Sequence, residues 1–398
     1  MSNVLNLNNI GKNFLLSLET RGIKLGLKRT VELFNICNHP EDNLKSIQVI
    51  GTNGKGSTAA TLSSILMASG LKVGLYTSPH LVDLSERIKI NNREIDNQFI
   101  DHFIDLYRHD IEKLESTFFE VLTVMAASYF NEKDVDIAIF ETGLGGRYDS
   151  VTACKAQTQL FTKISIDHAH ILGNTIEEIA LDKSCAIHKD STCFSIRQTN
   201  KVKNILIQKA IDMSASLTFT THLDNKVYKS NLLGSHQIEN TQLAIAAAKH
   251  IIDIKEDAIQ RGLNNVQWKG RMELLYSEPN VYFDVAHNDD SIIAFCDTID
   301  SLNHKGDKTL IISVQESKLI EKSIKQLEQR FSKIIITQLN NRMYASSDLA
   351  SMFLSQSKIE IIDDSNLAIK TGFKNSKKSD LLAIIGSHYW GDIVYKNF

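Results

Sequence analysis

The chain has 398 residues, more than one hydrophobic core usually serves, so two domains are expected. Hydrophobic residues make up 42% and charged residues 23%, a balance typical of a folded enzyme and far from that of a disordered chain. The net charge of -3 supplies no strongly basic surface, which argues against nucleic acid or an anionic membrane as a partner.

The cysteines and the N-terminal stretch indicate a reducing compartment. Five cysteines are present, an odd number, without the CxxC or paired spacing of a disulfide framework or a metal site. Polar Asn and Lys side chains interrupt every apolar run in residues 1–16, which suits neither a signal peptide nor a membrane span. We therefore expect a cytoplasmic protein.

The first half of the chain has the pattern of a doubly wound parallel sheet. A β-prone run at residues 47–50, a glycine-rich stretch, a helical run at 57–69 and a second β-prone run at 72–77 make up one βαβ unit. Further strands are predicted at 136–141 and 159–164, each leading into a loop with Gly or His. Loops at the carboxyl ends of such strands are expected to hold the chemistry.

The pattern restarts near the end of the chain, which predicts a second, smaller Rossmann-like α/β domain. Its predicted strands are 281–286, 309–314, 333–337, 359–362 and 381–385. Residues 277–280, Ser-Glu-Pro-Asn, have turn chemistry and are taken as the boundary between domains 1–276 and 277–398.

The glycine-rich stretch GTNGKGST at residues 51–58 is a candidate phosphate loop. Between a strand and a helix, its backbone N–H groups and the helix dipole can hold phosphates, and Lys55 can reach them. It departs from the strict P-loop pattern, because Val49 stands where Gly is required and Gly56 where Ser or Thr is required. The alternative is a tight strand-to-helix turn without a ligand.

This loop, with TSPHL at residues 77–81 and ERI at 86–88, resembles the folylpolyglutamate synthase and dihydrofolate synthase family of the Mur ligase superfamily. The stretch IKLGLKR at 23–29 is similar to the opening of that family, whereas the Mur amino-acid ligases proper usually read GKTT in place of GKGS. The resemblance implies a P-loop-type first domain that binds ATP through the loop residues Thr52, Asn53, Gly54, Lys55, Gly56 and Ser57.

Glu141 ends an apolar strand before the glycine-rich loop of residues 143–146, where its carboxylate could bind Mg²⁺ or could simply be solvated. His168 follows a later strand, and a histidine there is by itself more often structural, as we take His170 to be. The resemblance implies that Ser78, Glu141 and His168, with Ser57 of the phosphate loop, ligate Mg²⁺, and that two ions bind.

Lys183 lies in IALDKSCAI, residues 179–187, which resembles the family segment IAxEKAGI with Asp, Ser and Cys replacing Glu, Ala and Gly. The resemblance implies a lysine that is often carbamylated, which converts a neutral amine into a carboxylate beside the metal. A solvated lysine on a helix face is the alternative.

The family resemblance also indicates where a folate substrate binds. Phe118, Phe119 and Glu120 resemble an FExxT element at the pterin pocket, although two aromatics at a helix start are more often core. Residues 141–152 resemble EvGLGGRlDatN, from which Val151 and Thr152 depart. The predicted substrate residues are Phe118, Phe119, Glu120, Tyr148, Asp149 and Ser150.

Three later elements resemble the family's nucleotide contacts. GSHQIEN at residues 234–240 implies that Asn240 contacts ATP, and WKGRME at 268–273 implies the same for Arg271. DVAHND at 284–289 resembles DGAHNP, with Val285 and Asp289 as replacements, and implies roles for Asp284 in binding ATP and for His287 in catalysis. In this family ATP lies between the domains, and their closure is expected to gate the reaction.

These features predict an ATP-dependent ligase that joins L-glutamate to dihydropteroate, to the tail of a reduced folate, or to both, through an acyl-phosphate. The resemblance implies Lys55, Lys183 and His287 as catalytic residues and a monomer as the oligomeric state. Two alternatives remain at this point. One is a Mur-type ligase with another carboxylate substrate, and the other is a nucleotide-binding protein that has lost ligase activity, as the departures at Thr152, Cys185, Val285 and Asp289 would allow.

Overall fold

The structure is a computed structural model that describes residues 9–220 and 228–398. The chain divides into two compact units: the first runs to Lys229 and includes Glu239–Val266, and the second comprises Ser230–Ile238 and Gln267–Phe398. No helix in the described ranges is both long and apolar enough to cross a membrane.

The first unit is built on an eight-stranded sheet. Its strands are β1 (Ser46–Ile50), β2 (Val73–Tyr76), β3 (Ile88–Ile90), β4 (Arg93–Glu94), β5 (Ile137–Glu141), β6 (Thr158–Phe161), β7 (Thr192–Ser195) and β8 (Ser216–Phe219). The spatial order is β4-β3-β2-β5-β1-β6-β7-β8, in which β3 pairs antiparallel with both β2 and β4, and the remaining neighbours pair in parallel.

The first unit's helices lie on both faces of this sheet. They are α1 (Ile10–Ser17), α2 (Lys28–Ile36), α3 (Lys55–Ala68), α4 (Asn97–Lys113), α5 (Phe118–Glu132), α6 (Ala169–Leu172), α7 (Ile176–Ser184), α8 (Asn200–Asp212), α9 (His236–Ile251), whose first residues belong to the second unit, and α10 (Glu256–Asn265). Because neighbouring strand residues point to opposite faces, Phe140 of β5 packs with α4 and α5, whereas Ile139 packs with α3 and α10. Burial on both faces explains the apolar strands.

The second unit has a six-stranded sheet of order β13-β12-β11-β14-β10-β9, in which β9 alone runs antiparallel to its neighbour. The strands are β9 (Glu273–Ser277), β10 (Asn280–Asp284), β11 (Lys308–Ile312), β12 (Lys333–Ile336), β13 (Ile359–Ile361) and β14 (Leu381–Ile385). The helices are α11 (Asp289–Ser301), α12 (Glu321–Arg330), α13 (Ser346–Ser351), α14 (Ser365–Asn375) and α15 (Gly391–Asn397). The predicted fold class is confirmed for both units.

The predicted domain boundary at 277–280 falls on a turn within the second unit. These residues form the turn of a hairpin, because β9 pairs with β10 on either side of Glu278 and Pro279. The second unit therefore takes up the chain again at Gln267, before β9. Turn chemistry alone did not distinguish a hairpin turn from a linker.

The predicted strand at 159–164 also ends too late, since β6 stops at Phe161. Two residues after the strand ends, the carbonyl oxygen of Lys163 accepts the N–H groups of Thr52 and Asn53 at 2.7 and 3.2 Å. These hydrogen bonds hold the glycine-rich loop that follows β1.

Candidate active site

The glycine-rich loop is fixed on both sides at the carboxyl edge of the first sheet. The Thr52 hydroxyl donates to the carbonyl oxygen of Ser165 at 3.0 Å and accepts the Ser165 N–H at 3.0 Å. A Cβ atom on Gly51 would lie 1.9 Å from the Thr162 hydroxyl oxygen, so only glycine fits there. Helix α3 begins at Lys55, and the Lys55 ammonium donates to the carbonyl oxygen of Thr52 at 3.1 Å.

Asn240 of α9 lies against this loop. Its side chain is buried, and a Cβ atom on Gly54 would lie 2.5 Å from the Asn240 amide oxygen. Gly54 itself has φ of 87°, a backbone conformation that glycine adopts without strain. The structure thus places Asn240 beside the glycine-rich loop, although 186 positions separate it from Gly54 (240 − 54 = 186).

Glu141 and Ser78 meet at the carboxyl ends of two neighbouring strands. Tyr76 of β2 pairs with Phe140 of β5, so the residues that follow each strand emerge side by side. The Ser78 N–H donates to the buried Glu141 carboxylate at 3.2 Å. Two of the four predicted metal ligands are therefore in direct contact.

His168 lies at the start of α6, with φ of 51° and a partly exposed ring. Its N–H donates to the Asp167 carboxylate at 2.8 Å, and its Nε2 lies 4.0 Å from the same oxygen. Ser57, by contrast, is buried in the first turn of α3.

The predicted donor set suits Mg²⁺ in its chemistry, since a carboxylate and two hydroxyls are hard oxygen ligands of the kind that this ion prefers, and an imidazole completes the set. Among the described residues, one group of three His, Cys, Asp or Glu side chains has its possible ligand atoms within 4.8 Å of one another. It consists of His39, Glu41 and Asp42, which follow α2. The predicted Mg²⁺ ligands do not form such a group, because two of the four are serines.

Lys183 is buried in α7, and its ammonium donates to the carbonyl oxygen of Gly51 at 2.9 Å. Burial, and secondarily the charge of Lys55, lower the pKa of Lys183 from 10.5 to about 7. The structure excludes the alternative of a solvated lysine on a helix face, because this side chain points into the base of the glycine-rich loop.

A second glycine loop, residues 143–146, follows β5 and is organised by Asp149. The buried Asp149 carboxylate accepts the N–H groups of Leu144 and Val151 at 2.7 and 3.0 Å. Burial raises the pKa of Asp149 to about 6, and these backbone hydrogen bonds oppose the rise. Asp149 therefore shapes the loop, whichever ligand the loop contacts.

Two side chains that depart from the family pattern hold Gly146 of this loop. The Thr152 hydroxyl donates to the carbonyl oxygen of Gly146 at 2.7 Å, and the Asp182 carboxylate accepts its N–H at 2.9 Å. The Gln48 amide donates to the Thr152 hydroxyl at 2.8 Å, so the threonine is satisfied in a buried place. Thr152 and Asp182 therefore both hold the backbone of this loop.

The predicted substrate residues fall into two groups. Phe118, Phe119 and Tyr148 are half-buried or exposed, and the ring of Phe119 packs between Tyr76, at a centroid distance of 5.7 Å, and Gly143. Ser150, however, is buried in the short helix Ser150–Cys154 behind Asp149. The structure thus brings the aromatic residues, rather than Ser150, to the surface of the loop.

Glu120 has a structural place. It closes the N-terminus of α5 in a capping box, since its carboxylate accepts the Thr117 N–H at 2.7 Å. The same buried carboxylate accepts the Arg29 Nε–H at 3.0 and 3.1 Å. These bonds account for a buried glutamate without a ligand.

Sequence reasoning missed Arg87, which directly precedes β3. The residue is 8% exposed, and its guanidinium donates from Nε to His80 Nδ1 at 2.9 Å and lies 5.1 Å from the ring centre of Phe118. Burial, and then the charge of Arg87, lower the pKa of His80 to about 4. The ERI motif marked this position as part of a resemblance but carried no role for the arginine.

In the second unit, Asp284 at the end of β10 organises the elements that carry Arg271. The buried Asp284 carboxylate accepts the N–H groups of Met272 and Ala286, both at 2.8 Å. Burial raises the pKa of Asp284, and the charge of Arg271 opposes the rise. Arg271 is half-buried, and its guanidinium donates to the carbonyl oxygen of Gly270 at 3.0 Å.

His287 follows Asp284 at the same sheet edge. Its Nδ1 lies 2.8 Å from the carbonyl oxygen of Val285, and because a carbonyl only accepts, Nδ1 carries the proton and Nε2 is the basic nitrogen of the neutral ring. Its ring centre lies 5.5 Å from that of His388, beyond β14. The replacement of Gly by Val at 285 leaves the 284–288 loop closed by the Asn288 capping box.

The comparisons with known proteins agree with this architecture. A model of the Mur ligase glutamate ligase domain matches residues 270–388, which lie within the second unit. Over nearly the whole chain, this protein is 31% identical to the dihydrofolate synthase/folylpolyglutamate synthase of Bacillus subtilis, and the match covers 93% of this chain and 94% of the relative. The dihydrofolate synthetase of Saccharomyces cerevisiae is 28% identical, over 80% and 82%.

Among solved structures, the Mycobacterium tuberculosis folylpolyglutamate synthase complexed with ADP and AMPPCP has a TM-score of 0.87. It is 25% identical, and the match covers 97% of this chain and 98% of that one. The two parallel-dominated α/β units and the glycine-rich loop after β1 define an ATP-dependent ligase of Mur ligase architecture. With the Bacillus relative at 31% identity over nearly its whole length, the chain belongs to the dihydrofolate synthase/folylpolyglutamate synthase family.

Proposed function

We propose that the protein ligates L-glutamate to dihydropteroate, to the glutamate tail of a reduced folate, or to both. A substrate carboxylate oxygen attacks the γ-phosphorus of ATP, ADP leaves, and the acyl-phosphate forms. The glutamate amine then attacks the acyl carbon, phosphate leaves, and an amide remains after the amine has lost a proton. The observation that carries the proposal is the meeting of the glycine-rich loop, Lys183 and the Ser78–Glu141 pair at one sheet edge in a member of this family.

The roles of individual residues are part of the proposal. The loop from Thr52 to Ser57 would bind the phosphates of ATP, since its N–H groups lie at the start of α3 and Lys55 supplies a positive charge. Asn240 would hold the loop and contact the nucleotide. In the second unit, Arg271 and Asp284 would bind ATP, and His287 would accept the amine proton through Nε2.

Ser57, Ser78, Glu141 and His168 would hold Mg²⁺, with two ions as the expectation. The metal supplies charge that neutralises the phosphoryl group during transfer. Lys183, with a pKa of about 7, has the neutral amine that carbamylation requires, so we propose that it is carbamylated in the active enzyme. Phe118, Phe119 and Tyr148 would form the surface on which the pterin ring stacks.

The site residues support this assignment through their chemistry. A carboxylate is a poor electrophile, and its activation requires mainly positive charge and correct positioning rather than a protein nucleophile. Lys55 and the proposed metal ligands are of the required type. The five cysteines are free thiols, which is consistent with the cytoplasm as the site of action, and a monomer is the proposed state.

The test is incorporation of radiolabelled glutamate that depends on ATP and Mg²⁺, with dihydropteroate and tetrahydrofolate offered in separate reactions. Product from dihydropteroate alone identifies a dihydrofolate synthase, from tetrahydrofolate alone a folylpolyglutamate synthase, and from both a bifunctional enzyme. The Lys55→Ala variant should lose at least 100-fold in rate, on the order of one lost catalytic charge. If no product forms from either dihydropteroate or tetrahydrofolate, the proposal is contradicted.

A further inference from the structure

Arg87 is a buried cation that the proposed mechanism does not use. Within residues 9–220 and 228–398, its guanidinium contacts the His80 ring nitrogen and the Phe118 ring, and no carboxylate of the described residues forms an ion pair with it. It is 8% exposed. A charge this far removed from water is costly unless an anion compensates it.

The nearest acidic side chain in sequence is already engaged. The Glu86 carboxylate accepts the N–H groups of Leu81, Val82 and Asp83, each at 2.9 Å, and so closes the turn after the Ser78–Pro79 peptide bond. His80 does not supply a negative charge either. Since Arg87 Nε–H is the donor, His80 Nδ1 must be the acceptor and therefore carries no proton.

The sheet register places Arg87 beside the proposed metal site. Tyr76 pairs with Phe140 of β5 on one side and with Ile88 of β3 on the other. The residues next to these partners, Glu141 and Arg87, therefore flank the chain as it leaves β2. The Thr77 N–H confirms the arrangement, because it donates to the carbonyl oxygen of Arg87 at 2.9 Å.

The same register separates Arg87 from the phosphate loop. The strand order β3-β2-β5-β1 puts three strand spacings, roughly 14 Å, between the strand of Arg87 and the strand that leads into the glycine-rich loop. Glu141 lies between them, and Phe118 of the proposed pterin surface lies against Arg87. An anion bound by Arg87 would therefore lie on the side of Glu141 that faces the proposed pterin surface, away from the glycine-rich loop.

We propose that the Arg87 guanidinium binds the reacting carboxylate of the acyl substrate and positions it beside Glu141. The hydrogen bond to His80 and the Phe118 ring fix the plane of the guanidinium, so its Nη groups present a fork that matches a carboxylate. The inference rests on the proposed function and adds to it a residue that selects an ionised carboxylate over a neutral group.

The experiment compares two ligands that differ only in the reacting group: dihydropteroate, with an ionised carboxylate, and its neutral carboxamide. Equilibrium dialysis without ATP gives the affinity of each for wild-type protein, Arg87→Met, Arg87→Lys and the control Arg93→Met. Arg93 is exposed in β4 of the same sheet and has no proposed role. ATP affinity and thermal unfolding are measured for every protein.

We expect wild-type protein and Arg93→Met to prefer the carboxylate by roughly 10- to 100-fold, the range of a charge-assisted hydrogen bond. Arg87→Met should bind both ligands equally with ATP affinity unchanged, and Arg87→Lys should keep part of the preference. The ratio of two ligands on one protein is insensitive to general loosening of the fold. If Arg87→Met does not fold, the reduced preference of Arg87→Lys carries the test.

An Arg87 variant that keeps the full preference, or that loses ATP affinity as strongly as carboxylate affinity, would overturn the inference and leave the proposed function intact. Wild-type protein that forms product but shows no preference would do the same. Wild-type protein that binds neither pteridine and forms no product would overturn both.

Discussion

Replacing Lys183 by methionine tests whether the fold holds an unfavourably buried amine at the base of the glycine-rich loop. The pKa of Lys183 falls from 10.5 to about 7 on folding, mainly because of burial. The difference of 10.5 − 7 = 3.5 pKa units corresponds to about 5 kcal/mol of lost stability at low pH. Methionine removes this cost and also the hydrogen bond to Gly51, worth about 1–3 kcal/mol. Lys183→Met should therefore be more stable than wild type by about 2–4 kcal/mol at pH 7.

The sign of the pH dependence makes the test specific. Between pH 7 and 10.5 the unfolded chain keeps the Lys183 proton that the folded protein has released, so wild-type stability rises with pH in this window. The advantage of Lys183→Met should shrink by about 2–3 kcal/mol from pH 7 to pH 9, because the variant lacks the group. Other titrating groups are common to both proteins and cancel in the difference.

Urea unfolding in CO₂-free buffer measures this difference. Both tryptophans, Trp268 and Trp390, belong to the second unit, so their fluorescence follows that unit. Far-UV circular dichroism follows both units. A transition seen by circular dichroism but not by fluorescence therefore reports unfolding of the first unit, where Lys183 lies. A variant that is less stable at pH 7, or a difference that does not change with pH, would refute the reasoning from burial.

Carbamylation of the same amine is tested in wild-type protein equilibrated with ¹³C-bicarbonate. At pH 7 about half of the Lys183 amine is neutral, against about 1 in 3,000 for an exposed lysine, so it should react with carbon dioxide preferentially. We expect one ¹³C carbamate signal that is absent from Lys183→Met. A spectrum identical for the two proteins would contradict the proposed modification.

Two further substitutions have matched controls. Gly54→Ala should raise the KM for ATP at least tenfold in steady-state assays, because the new Cβ would lie 2.5 Å from the Asn240 amide oxygen. The control Gly70→Ala has a similar positive φ, 93°, but open space around the new Cβ, so it should have the same backbone strain and an unchanged KM. Equal effects of the two substitutions would remove Asn240 from the explanation. Glu120→Gln should lower the unfolding free energy by about 3 kcal/mol through the buried Arg29 pair, without a change in substrate KM. The control Glu115→Gln, in an exposed pair with Lys24, should have a much smaller effect on stability. A selective rise in folate KM for Glu120→Gln would restore Glu120 as a substrate residue.

Most of the sheet could be predicted from the sequence because parallel strands buried on both faces are encoded as short apolar runs. The strand predicted at 381–385 is observed at Leu381–Ile385, and that at 47–50 at Ser46–Ile50. The hairpin of β9 and β10 was missed because β9 is largely exposed and its apolar run is only three residues long, from Leu274 to Tyr276. Pro279 was consequently taken as part of a linker rather than as part of a hairpin turn.

The site was only partly predictable, for a different reason. Gly-rich loops and strand-end carboxylates have local patterns, so Lys55 and Glu141 could be selected from neighbouring residues. The contact of Asn240 with Gly54 and the burial of Lys183 depend on packing between distant segments, and only the family resemblance indicated them. Arg87 has neither a local pattern nor an assigned role, because its position depends on the pairing of three strands.

The first unit's site is unusual in the charges that it buries. Lys183 has its pKa lowered by burial and by Lys55, and Arg87 is removed from water without an ion pair among the described residues. Burying these two basic groups costs stability in the unliganded protein, and anions that bind beside them add favourable interactions to those of the nearby carboxylates. ATP and an ionised acyl substrate are the anions of the proposed reaction, and a carbamate on Lys183 would add a negative charge of its own. Binding free energy at this site should therefore come largely from relief of desolvation that the fold has already imposed, which predicts tighter binding of ionised than of neutral substrate analogues.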